Sequence, residues 1–132
     1  KAHLVHNMSC VEGGGLVTME NGLTKTMAGV EKGNLVRGHD GNPAEVICAI
    51  HTQGFQGAIP LANVEGGCRI TAGHPIWQQS DGSSGSAGNR WVLPHTVVEV
   101  ALAPCSMLCT LALKDSYGYW VQGTLCAALG CK

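Results

Sequence analysis

Apolar residues in this chain come in short runs enriched in β-branched side chains, bounded by glycine, asparagine and aspartate. No run sustains a 3.6-residue helical period, so the pattern predicts an all-β domain. The predicted strands cover residues 16–19, 35–37, 44–52, 69–71, 91–93, 96–102, 108–113, 119–122 and 124–128. Asn21-Gly22, Asp40-Gly41 and Gln122-Gly123 fall between these runs, and each supplies a residue that tolerates positive φ, so short hairpins are expected there. Many short strands at this spacing suit a sandwich, a barrel or a less regular β-fold equally well. Residues 81–89 (DGSSGSAGN) are small and polar, bury too little apolar area to offset chain ordering, and are expected to form a mobile surface loop.

The chain has 132 residues, the length of one ordinary domain. Charged residues make up 13% and the formal net charge is -1, which leaves no electrostatic footprint for nucleic acid or an anionic membrane. The longest nearly apolar stretch, residues 96–104, is interrupted by Glu99 and is too short to span a bilayer. Residues 1–9 contain no hydrophobic block of signal-peptide length, so an intracellular, cytoplasmic setting is the expectation, although a processed chain would look the same. Seven cysteines form an odd set, so at least one thiol stays outside any intramolecular pairing. Six histidines accompany them and make zinc worth testing. Yet no pair has C-x-x-C spacing, Cys105 and Cys109 are the one close pair, and buried, hydrophobe-like cysteines are the simpler reading.

Chemistry centres on Cys10, which precedes three glycines and a strand and so sits at an element boundary where a thiol can face a neighbouring carbonyl. An unperturbed thiol has a pKa near 8.5 and needs a base or a positive dipole to become a nucleophile at neutral pH. The partner segment runs Cys68-Arg69-Ile70-Thr71-Ala72-Gly73-His74-Pro75. With Thr71 ending a strand and a bend at Gly73, a hydroxyl and an imidazole can both turn toward one amide bond. Thr71 would hold that bond and His74 would protonate its nitrogen, a poor leaving group until it is protonated. On spacing alone a core or surface histidine is the favoured reading of His74.

Two blocks carry a resemblance to a known family. The run CVEGGGLVTMENG followed by KTMAGVEKGNLVRGHDG resembles the opening block of the hedgehog/intein (Hint) superfamily, and RITAGHP contains the Thr-x-x-His signature of the same domains. Their order agrees, and the closing LCTLALKDSYGYWVQGTLCAALGC resembles the Hint C-terminal block, so the resemblance runs from Cys10 to Cys131. Within the superfamily the likeness is to the Vint type, on GNLVRGHDG with AEVICAIHT, NRWVLP, the ALAPC run and QGTLCAALG. Cys48, Cys105 and Cys126 fall where that type often has cysteine, and packing is the expected role for all three.

The resemblance implies a horseshoe-like all-β Hint fold over residues 10–132, with residues 1–9 as a flank left from an upstream polypeptide. It implies single-turnover self-processing rather than multiple-turnover catalysis. Cys10 would attack the Ser9 carbonyl and convert the Ser9-Cys10 amide into a thioester, with Thr71 and His74 acting on that bond. Amide to thioester is uphill, so the acyl group must then pass to water, a thiol or another nucleophile. No metal or organic cofactor is required. Splicing inteins end in His-Asn, whereas Ala127 and Ala128 stand in that place here, Tyr117 is nearest the missing internal histidine, and Thr110 stands where inteins often carry Asp. N-terminal cleavage or acyl transfer is therefore expected rather than full splicing. Cys131 is a candidate acyl acceptor if it reaches the Cys10 sulfur. The rival readings are a non-catalytic Hint-fold interaction module and a cysteine hydrolase acting in trans.

Overall fold

The computed structural model describes residues 9–55, 57–78 and 90–129. Residues 1–8 of the flank, the loop expected at residues 81–89, and Cys131 lie outside the described residues. The chain runs β1 (Val11–Glu12), β2 (Leu16–Thr18), β3 (Thr24–Thr26), β4 (Leu35–Arg37), β5 (Pro43–Gln53), β6 (Ala58–Asn63) and β7 (Arg69–Ile70). It continues through β8 (Ile76–Gln78), β9 (Arg90–Val92), β10 (Val100–Pro104), β11 (Met107–Leu113), β12 (Gly118–Val121) and β13 (Thr124–Ala127). The helical content among the described residues is two single 3-10 turns, Met27–Gly29 and Pro94–Thr96. The all-β expectation holds, and among the described residues no helix is long and apolar enough to cross a membrane.

The strands form two antiparallel sheets, one in the order β10-β6-β7-β1-β11-β5-β4 and one in the order β3-β2-β12-β13-β8-β9. In the first sheet β10 and β11 stand four places apart, yet only Cys105 and Ser106 join them. Four strand spacings in a flat sheet amount to roughly 19 Å, whereas three Cα steps reach at most about 11 Å. The sheet must therefore curl, with the short corner closing one side of it.

The curl separates two apolar regions by side-chain alternation. Val11, Ile70, Cys109 and Leu111 join the main core with Val17, Val36, Tyr119, Val121 and Cys126. Cys10 and Leu108 belong to a second cluster with Ile59, Leu61 and Cys105, against which Phe55 and Ala103 pack. Cys10 thus sits on the inner face of the curl, off the main core.

Two expectations change. Residues 96–102 do not form one strand, because Pro94 pre-sets the first position of a 3-10 turn. The Thr96 hydroxyl then donates to the Leu93 carbonyl at 2.6 Å, and the strand begins only at Val100. Conversely β6 is six residues long although Pro60 stands inside it. Its neighbour β7 meets β6 only at Ala62 and Asn63, so the proline's missing N–H deprives no ladder on that side. The Gln122-Gly123 hairpin is as expected: both residues have positive φ, 48° and 85°, and Val121 lies opposite Thr124.

Candidate active site

Cys10 enters the first sheet one residue before β1, between β7 and β11. Val11 pairs with Ile70 on one side and Cys109 on the other, so one step back along the register puts Cys10 beside Thr71 and opposite Thr110. The Cys10 N–H donates to the Thr71 hydroxyl oxygen at 3.0 Å. The Thr71 N–H donates to the Cys10 carbonyl at 2.9 Å, and the Thr71 hydroxyl reaches the same carbonyl at 3.3 Å. The peptide nitrogen of the Ser9-Cys10 bond is therefore gripped by a buried side chain from 61 residues away.

Thr71 and His74 are joined by a tight turn in which the His74 N–H donates to the Thr71 carbonyl at 3.2 Å. Both side chains are fully buried. The Ser9 hydroxyl donates to the Gly73 carbonyl at 3.3 Å, which lays the residue before Cys10 along the same turn. His74 Nε2 lies 2.8 Å from the Ala127 carbonyl. A carbonyl only accepts, so Nε2 carries the ring hydrogen and Nδ1 of the neutral ring presents a lone pair. Among the described residues Nδ1 is buried without a hydrogen-bond partner. The Tyr119 ring packs edge-on against the imidazole, with centroids 6.4 Å apart.

Burial holds His74 down at a pKa of about 4, and the nearby carbonyls of Ala127 and Ser9, which favour the charged ring, only partly offset it. Burial pushes the Cys10 thiol up to about 11, with the neighbouring Cys105 adding to the effect. At neutral pH the pair is a thiol and a neutral imidazole rather than a preformed thiolate–imidazolium pair. Cys10 is only 6% exposed.

The structure thus brings together four of the residues singled out in the sequence: Ser9, Cys10, Thr71 and His74. Cys131 lies outside the described residues. Among the described residues no three His, Cys, Asp or Glu side chains are grouped so as to hold a metal ion. Sequence reasoning misses the Ala127 carbonyl, which any residue at that position offers and no motif marks. It also misses the placement of Cys105 in the Cys10 cluster, which follows from the curl of the sheet.

No protein-family model matches the sequence, and no curated protein matches it. Solved structures do match. The bacterial intein-like domain from Clostridium thermocellum superposes with a TM-score of 0.63 at 12% identity, covering 93% of this chain and 100% of that one. The chain has the Hint fold. A DnaB intein from Synechocystis sp. PCC 6803 gives 0.61 at 13% identity, covering 92% and 99%, and the MchDnaB-1 intein gives 0.59 at 16%, covering 91% and 99%. At such identities the likeness is one of fold, and the Hint frame is carried by the strand arrangement rather than by shared side chains.

Proposed function

We propose that this Hint-fold domain processes its own chain once, with Cys10 attacking the Ser9 carbonyl to turn the Ser9-Cys10 amide into a thioester. The observation that carries this reading is the Thr71 grip on the Cys10 N–H, with the orphaned Nδ1 of buried His74 in the same turn. A buried hydroxyl and a buried imidazole converging on a peptide bond serve no packing purpose that valine and leucine would not serve better.

The proton movement follows from the protonation states. As the Cys10 sulfur bonds to the Ser9 carbonyl carbon, His74 Nδ1 takes the thiol proton, which neither group releases to water in a buried site. The ring is then cationic, and its new N–H faces the side on which the Ser9 carbonyl oxygen gains charge. That donor stabilises the tetrahedral oxyanion only while it exists. Thr71 holds the amide nitrogen against rotation, His74 delivers the proton to it, the C–N bond breaks, and the acyl group rests on the Cys10 sulfur. Release or transfer then requires water, a thiol or another nucleophile. The partners are the covalently attached upstream polypeptide and that acceptor, and the reaction as written takes no metal or cofactor. A hydrolase acting on other chains is disfavoured, because a nucleophile this deeply buried has no approach for a second polypeptide.

A reporter fused upstream of Cys10 and incubated with a small thiol tests the reading. Release cut at the Ser9-Cys10 bond, read by intact mass, is expected from the wild type and not from Cys10→Ala, while His74→Gln slows it by about 100-fold or more. Equal inertness of wild type and Cys10→Ala across pH and reductant would show that the Hint frame here is a non-catalytic module.

A further inference from the structure

As His74 takes the Cys10 proton, negative charge gathers on the Cys10 sulfur, and a buried thiolate needs a hydrogen-bond donor. Burial pushes the resting thiol up to about 11, the charge of Cys105 adds to the effect, and no neighbouring group pulls it down. The donor must come from the side chains beside the sulfur. Cys10 directs both its N–H and its carbonyl to Thr71, on the β7 side. Toward β11, Cys10 and Thr110 are therefore a non-hydrogen-bonded pair, the kind that brings side chains closest, with Cα atoms about 4.5 Å apart. Thr110 is buried, and alternation puts its side chain on the face of β11 opposite that of Cys109 and Leu111, the face that Cys10 shares with Leu108.

From the second sheet, β12 brings Tyr119 to the same place. Its ring packs edge-on against His74, and the residue is fully buried. Its hydroxyl meets the Thr110 hydroxyl closely enough to favour the charged phenol, but among the described residues it completes no hydrogen bond. Burial first, and then the charges of Cys126, Cys10 and Cys68, hold the phenol well above its ordinary range, so it stays a proton donor. Phenylalanine would fill the same space and leave no buried polar atom unpaired. We propose that Tyr119 is a positioning residue of the processing site, whose hydroxyl donates to Thr110 and turns the Thr110 hydroxyl onto the Cys10 sulfur as its charge develops. Neither hydroxyl gives up its proton. The thiol proton goes to His74 Nδ1, and two hydrogen bonds form along the line from Tyr119 through Thr110 to Cys10. The unpaired hydroxyl is thus a donor kept in place for a charge that exists only during the reaction.

This role rests on the self-processing reading, and a second measurement is independent of it. In the reporter fusion, Tyr119→Phe is expected to slow release about 10-fold at saturating thiol, with a urea midpoint no lower than that of the wild type. Thr110→Val is expected to slow release to a similar degree, and the double variant no further than either single one, because the two hydroxyls act as one line of donors. Separately, the whole chain is alkylated with iodoacetamide at about pH 8, where thiolate is the reacting form, and the modified cysteines are mapped. Cys10 is expected to react about 10-fold more slowly in Tyr119→Phe. The half-buried Cys48 on β5 is expected to react unchanged and serves as the internal reference. Release at the rate of an active wild type, or Cys10 alkylation at the wild-type rate, in Tyr119→Phe overturns the proposal. Additive losses in the double variant, or a urea midpoint that falls with the rate, overturn it as well. If the wild type releases nothing, the self-processing reading fails, and the Cys10 alkylation ratio still decides whether Tyr119 acts on that sulfur.

Discussion

His74 is uncharged at neutral pH because burial outweighs the two carbonyls that favour an imidazolium, and this has a thermodynamic signature. With a folded pKa of about 4 against an unfolded value near 6.5, the unfolded chain binds a proton that the folded one refuses. Stability is therefore fully present above about pH 6.5 and falls as the pH drops toward 4, by about 3 kcal/mol in all from this residue. Urea unfolding between pH 4 and 7 should show that slope, and His74→Gln should flatten it. A wild-type curve with no histidine slope over that range would mean that the ring is charged in the folded protein. That Cys10, Thr71 and His74 meet is legible in the sequence, because the blocks that carry them resemble Hint domains and the proposed chemistry asks for those side-chain types in that order. The Ala127 carbonyl that sets the His74 tautomer is not legible, since backbone atoms leave no trace in residue identity. The depth of Cys10 is equally hidden, because a thiol shortly before three glycines reads as an exposed boundary until the sheet wraps it.

At the scale of elements, strands are readable where they are long or end in marked turns, as with β5, β11 and the β12–β13 hairpin. They are missed at β1, β3 and β8, of two or three residues, where pairing partners rather than local pattern make the strand, and at β6, which carries Pro60, while the equally short β2, β4, β7 and β9 are read. The turn from Val64 to Cys68 shows how tightly these elements are joined. Gly66 has φ of 94°, and a Cβ there would lie 2.2 Å from the Gln122 carbonyl oxygen, while the Gln122 side-chain amide donates to the Gly66 carbonyl at 2.8 Å. Gly66→Ala should cost about 1–3 kcal/mol from backbone strain, and more from the clash. Gly14→Ala is the control, since a Cβ there meets nothing within 4 Å and should shift the urea midpoint little. Equal effects of the two substitutions would mean that the Gly66–Gln122 contact does not hold the two sheets together.

The whole molecule is tied by distant contacts. β1 pairs with β7 and β11, β2 with β12, and β8 with β13, so both sheets are completed by strands from opposite ends of the described chain. Such topology folds slowly, because loop closure must precede the contacts that repay it. A chain ending after Gln78 retains Cys10, Thr71 and His74 but lacks β11 and β13. It should release no reporter and should show no cooperative thermal transition by circular dichroism. Release from that fragment would mean that the turn from Thr71 to His74 suffices by itself. The Ala127 carbonyl on His74 carries this dependence into the order of synthesis. A ribosome delivers Cys10 early and Ala127 more than a hundred residues later, so on the proposed self-processing reading Cys10 spends translation beside a bond that it has no means to attack. On that reading the last strand acts as the release on a timer, and any polypeptide preceding the domain would be made, and have had time to fold, before the cut became available.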